Sequence, residues 1–150
     1  MAIGADTLTA ILAGLAAQLA TVDDLTVYDY EPASVDALPA ATIRLQEAQR
    51  QPLEIGVERG ESQIGSVDLY LAWTIIVYVN GDYARDSDIA ALELLGRLIG
   101  ALDTTPDLGI PAVVLDSSVA SATRDRVVAT RDGRELLTYV VTFTTTSLHA

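Results

Sequence analysis

Residues 66–79 read SVDLYLAWTIIVYV, and their alternation decides the fold. Val67, Leu69, Leu71, Trp73, Ile75, Val77 and Val79 fall on one side of an extended chain. Asp68, Tyr70, Ala72, Thr74, Ile76 and Tyr78 fall on the other. Successive side chains of a strand point to opposite faces, so a period of two predicts a strand with one wholly apolar face. The stretch is well over twice the usual strand length of about 5–6 residues. Tyr70, Ile76 and Tyr78 make its second face too apolar for water, and a neighbouring subunit is the expected cover.

The flanking segments supply the rest of the fold. After Asn80 and Gly81, Asp86 or Ser87 is placed to cap a helix over residues 88–102. Ile89, Leu92, Leu95, Ile99 and Leu102 form its expected buried stripe, widened by Leu94 and Leu98. Upstream, Pro52, Gly56, Gly60 and Gly65 punctuate residues 46–65, a polar stretch holding Glu47, Glu54, Glu58 and Glu61. No apolar period runs through it, so a long flexible loop is expected, either a plain insertion or an arm that orders on a partner. Residues 25–30 and 40–45 read as strands, and residues 7–21 as a helix striped by Leu8, Ile11, Leu12, Leu15 and Leu19, with Asp6 or Thr7 as its cap. Downstream, residues 112–116 read as a short strand. Residues 126–131 and 134–145 flank Asp132-Gly133 as a hairpin. A two-residue turn there sets Arg126 opposite Tyr139 and Val128 opposite Leu137. The order α-β-β-β-α-β-β-β predicts one α+β sandwich over residues 1–150, mostly antiparallel, with both helices on one face of the sheet.

Composition narrows the function. Half of the 150 residues are hydrophobic, which argues against disorder, and the length suits one domain. No apolar run reaches the ~18 residues of a membrane span, and residues 1–6 lack the basic start of a secretory leader. The absence of cysteine excludes disulfides, thiolate metal sites and cysteine nucleophiles. The net charge is −12, and all nine basic residues are Arg. A chain this acidic is repelled by nucleic acid and by anionic membranes. The acidity is concentrated before residue 104; from there to the end the balance is only −1.

Signatures of catalysis are few. His149 is the only histidine and lies next to the chain end, a poor place for a positioned base. Asp82, Asp86 and Asp88 invite comparison with a calcium loop, but the match is poor, because that loop needs alternating oxygens, a central glycine and a distal glutamate in one fixed twelve-residue frame. They suit the positive end of the following helix instead. The glycines at 56 and 60 have no strand before them and no Lys after them, so they make no phosphate loop. No catalytic residues, cofactor or metal are therefore expected. Arg124, Arg126, Arg131 and Arg134 form the one basic cluster. They either pair with Asp125, Asp132 and Glu135 within the hairpin or meet an acidic neighbour.

The order of these elements, with the run from Leu69 to Val79 leading into the helix at 88–102 and Asp132-Gly133-Arg134-Glu135 leading into Tyr139-Val140-Val141-Thr142-Phe143-Thr144, resembles the tail terminator (tail completion) proteins of long-tailed bacteriophages. The resemblance covers nearly the whole chain. It implies a non-enzymatic virion protein, assembled in the host cytoplasm as a hexameric ring that caps the tail tube. Such a ring joins the tube protein to the head–tail connector or stopper and lets DNA pass without specific binding. An acidic wall suits that passage because it repels phosphate. Glu54, Glu58, Glu61, Asp82, Asp86 and Asp88 are the candidate lumen acids. Tyr70, Ile76, Tyr78, Arg124, Arg126, Arg131 and Arg134 are the candidate subunit or partner contacts. A head–tail adaptor or stopper is the alternative within the virion. A carboxylate-based enzyme or ligand-binding module is the alternative outside it.

Overall fold

The computed structural model describes residues 5–35, 37–52, 67–81, 84–110, 113–128 and 135–149. They form an α+β domain with two helices and a five-stranded, mostly antiparallel open sheet. Helix α1 is Ala5–Leu19 and α2 is Arg85–Thr104. The strands are β1 Thr26–Tyr28, β2 Ala40–Pro52, β3 Val67–Asn80, β4 Asp116–Val128 and β5 Glu135–His149. They lie in the order β1-β2-β3-β5-β4, antiparallel throughout except for β1 beside β2.

The apolar face of β3 is the floor of the core. Leu69, Leu71, Trp73, Ile75, Val77 and Val79 are buried with Leu137, Tyr139, Val141 and Phe143 of β5. Ile11, Leu15 and Leu19 of α1 and Leu94, Leu98 and Leu102 of α2 close the core from one side of the sheet, and the helices also touch each other. Fully burying each such side chain is worth about 1.5–3 kcal/mol against exposure, so this one layer dominates the stability. The segment after α2 seals one end. Leu108 packs against Gly14 of α1, and Asp107 accepts a bond from the Gly109 backbone N–H at 2.9 Å, where Leu108 and Gly109 both take positive φ.

Several sequence expectations are corrected. Helix α1 starts and ends two residues early, so Asp6 and Thr7 lie within it and not at its cap; the Thr21 hydroxyl instead donates to the Gln18 carbonyl beyond the helix end. Helix α2 begins at Arg85, which puts Asp86 and Ser87 in its first turn. Ala84, at the cap position, makes no side-chain bond there. The buried stripe of α2 is Ala91, Leu94, Leu98 and Leu102, leaving Ile89 and Leu92 exposed. Strand β1 is only three residues long. Residues 46–52, expected in the loop, continue β2; residues 53–65 lie outside the described residues.

The two strands expected at 112–116 and 126–131 are replaced by the single strand β4, which reduces the order to α-β-β-β-α-β-β. In the hairpin, Arg126 faces Leu137 and Val128 faces Glu135, two residues from the expected register. An even slip keeps every side chain on its expected face.

The strands flanking the central pair, β2 and β4, bulge at one height. Gln46 is the extra residue between Leu45, opposite Trp73, and Glu47, opposite Ala72. Ala120 is the extra residue between Val119, opposite Phe143, and Ser121, opposite Thr142. Trp73 and Phe143 face each other in the middle of the sheet. A bulge bends its strand and raises the local twist, so the sheet bends on both sides of this aromatic row.

Candidate functional site

The helices cover one face of the sheet, and among the described residues no helix or strand covers the other. The register assigns this far face. Arg44, Glu47 and Gln49 come from β2, Tyr70, Thr74, Ile76 and Tyr78 from β3, and Val140, Thr142, Thr144 and Thr146 from β5. Asp116, Ser118, Ser121 and Thr123 come from β4. Its middle is lined by hydroxyls that find their partners within the sheet. Thr74 Oγ1 donates to Gln46 Oε1 at 2.6 Å, and the Ser118 and Thr144 hydroxyls lie 3.3 Å apart. Thr138 Oγ1 donates to the Asp125 carbonyl at 3.2 Å. These bonds let Thr74 and Thr138 sit buried without an unmet polar group.

The apolar contacts expected on this face separate into two patches. Ile76 and Tyr78 are half-buried, with Val140 opposite Ile76 and Thr138 opposite Tyr78. Tyr70 stands apart, 37% exposed and opposite Thr146. Ala72 and Thr74 intervene on β3. The spacing of Tyr70 from Ile76 along the strand is roughly 20 Å at the usual rise per residue. The far face is therefore less apolar than β3 alone suggested, because β5 sets threonines beside it.

The charged candidates divide in the same way. Asp86 is exposed in the first turn of α2, near the helix's positive end. Asp88 reaches across the layer to Arg124 of β4, with Arg124 Nη2 3.6 Å from Asp88 Oδ2. Both side chains are about half exposed, so the pair contributes about 0–1 kcal/mol. Arg126 is placed by its backbone opposite Leu137, but its side chain lies outside the described set. Glu54, Glu58, Glu61, Asp82, Arg131 and Arg134 lie outside the described residues altogether. His149 ends β5 opposite Val67, so its backbone is held in the sheet and not in a loose tail.

Two clefts open beside the core. One of about 310 Å³ lies between the turn before β1 and α2, lined by Asp23, Asp24, Asn80, Ser87 and Arg97 over Leu94. The other, about 300 Å³, is an apolar groove formed by Leu8, Leu12, Tyr30, Leu45 and Trp73. Tyr30 closes edge-on over Tyr28, with ring centres 5.7 Å apart, and Arg44 meets Glu31 at 3.6 Å on the rim. Among the described residues no three His, Asp or Glu side chains gather where they could hold a metal ion.

Sequence reasoning missed two features. The outer apolar residues of α2, Ile89 and Leu92, were assigned to the core because a stripe of leucines on a helix looks the same whichever half is buried. Strands β2 and β4 were underestimated because their bulges reset the alternation at Gln46 and Ala120. No protein-family model matches the chain, and no curated protein matches it.

Proposed function

We propose that this protein is a structural virion component that assembles as a ring, hexameric by its resemblance to tail terminators, and caps a phage tail tube where the tube meets the head–tail connector. The observation that supports it best is the far face of the sheet. Strands of 13–15 residues hold Tyr70, Ile76 and Tyr78 on a surface that no described helix or strand covers. An exposed tyrosine at one end of the face and half-buried apolar side chains toward the other are the residue types that contact surfaces favour. The net charge of −12 adds to this, since a ring of such subunits repels a DNA strand passing through it.

In this reading Glu54, Glu58, Glu61, Asp82 and Asp86 belong to the lumen, and Asp88 shares its charge with Arg124. Arg126, Arg131 and Arg134 meet an acidic partner surface. Tail tubes mixed with the purified chain and viewed by electron microscopy test the proposal. Density capping one end of each tube is expected. Bare tube ends, together with a chain that stays monomeric in the mixture, contradict it. Binding to the connector in place of the tube turns the reading to the adaptor or stopper.

A further inference from the structure

The sheet has two long edges that no described strand pairs with, and the two fit each other. Strand β1 covers only Ala40, Ala41 and Thr42 of β2, so the backbone edge of residues 43–52 has no partner among the described residues, with only the Glu31 side chain meeting Arg44 at its near end. Among the described residues the backbone of β4 pairs with β5 alone, and residues 116–122 present the opposite edge. Open edges of this length are templates for another strand, and monomeric proteins usually shorten or cover them.

We propose that β4 of one copy adds to the open edge of β2 in the next copy, joining the sheets of successive subunits into one. This rests on the ring-forming reading, because it takes the partner to be a second copy of this chain. Strand direction supports it. Each step from β2 to β3, from β3 to β5 and from β5 to β4 reverses the chain, so β4 runs opposite to β2. Rotation about an axis lying along the strands preserves their direction. The neighbour's β4 therefore meets β2 antiparallel, and the contact needs no reversal of either subunit.

The two edges lie on opposite sides of the molecule and differ in sequence. That makes the contact head-to-tail, the kind that closes into a ring. Height also matches. Arg44 is opposite Thr74, Thr74 opposite Thr142, and Thr142 opposite Ser121, so without axial offset Ser121 of one copy lies level with Arg44 of the next, and residues 116–122 lie level with 43–49. Thr123 to Asp125 come level with Thr42 to Ala40, which β1 already covers, so at this height the pairing is confined to residues 116–122. The bulges at Gln46 and Ala120 fall at this same level, so the two edges bend together. The pairing leaves both faces of the sheet free, and the tyrosines of the far face stay available to the tube.

The absence of cysteine gives a direct test. Within one copy, Arg44 and Ser121 are separated by β3 and β5, about 14 Å at the usual strand spacing. A disulfide spans no more than about 7 Å between Cα atoms. A bond between cysteines at these positions must therefore join two copies. The full-length double variant Arg44→Cys/Ser121→Cys, oxidised at high concentration, is expected to give a covalent ladder rising past two copies. Partners Ser118→Cys and Thr123→Cys, each with Arg44→Cys, cover an axial offset, and Arg44→Cys alone should give no ladder.

In the unmodified chain, peptides from residues 43–49 and 116–122 should exchange amide hydrogen about tenfold or more slowly once assembled. Copies that assemble by mass with no cross-link at any of these pairs and no slowing at either edge overturn the edge contact while leaving the ring reading intact. A ladder that stops at two copies also overturns it. A chain that stays monomeric at millimolar concentration contradicts the edge contact too, and leaves the ring to the tail-tube experiment.

Discussion

Two hydroxyls on the core face of β5 show how a single polar group is settled. Trp73 is buried, and its Nε1–H donates to Thr145 Oγ1 at 3.2 Å. Two residues on, Ser147 Oγ is equally buried and has no partner among the described residues. Removing one member of a buried pair strands the other, whereas removing an unpaired group relieves a desolvation cost. Thr145→Val should therefore destabilise the domain by about 1–3 kcal/mol, because the indole N–H is left unmet. Ser147→Ala should leave stability unchanged or raise it by up to about 1 kcal/mol. Urea denaturation of the two variants beside the parent checks both, and equal losses would mean that Ser147 has a partner after all. On the far face Tyr70 is the exposed residue to change. Tyr70→Asp should keep stability within about 0.5 kcal/mol, while the fraction of capped tube ends falls. Unchanged capping would remove Tyr70 from the contact.

The elements differ in how fully the chain announces them. Strand β3 was legible to within one residue, because its inward side chains are all apolar and no irregularity interrupts them. In β2 the inward series Ala41, Ile43, Leu45 jumps to Ala48 across the bulge, and every side chain from Arg44 to Gln49 is exposed, so no apolar period announces a strand there. Strand β4 reads DSSVASATRDRVV, small and polar on both faces, for the same reasons of edge position and bulge. The place of Tyr70 and Tyr78 on the far face was legible; the threonines that share that face came into view only once β5 was set beside β3. Helix α2 was located correctly, but its rotation depends on α1 and the sheet and not on its own leucines. Its glycines yield a prediction. A Cβ at Gly96 or Gly100 meets nothing within 4 Å, so Gly96→Ala or Gly100→Ala should each stabilise by about 0.8–1 kcal/mol through helix propensity. Gly14 differs, since a Cβ there lies 3.3 Å from both the Leu108 Cβ and its carbonyl oxygen. Gly14→Ala should gain less than the α2 variants or lose stability. Thermal melts of all three should rank them in that order, and a Gly14→Ala gain equal to the others would show that the segment after α2 yields freely.

At the scale of the whole molecule, one layer of helices stabilises one face of a sheet whose other face no described helix or strand covers. In the proposed assembly the negative charge of the chain would face the DNA. Several Arg contacts per subunit, multiplied around a ring, would hold DNA, whereas carboxylates let it slide. The structure of the assembled ring should show acids on its inner wall. A wall dominated by Arg would end the repulsive-conduit mechanism without ending the ring. The ring itself is tested by measuring the mass of the particles this chain forms, alone and with tail tubes, by light scattering and by native mass spectrometry of material released from the tubes. A discrete closed species at a single multiple of the 15.9 kDa chain, six by the family resemblance, is the expected result. A chain found only as monomer, free and on mixing with tubes, would contradict it.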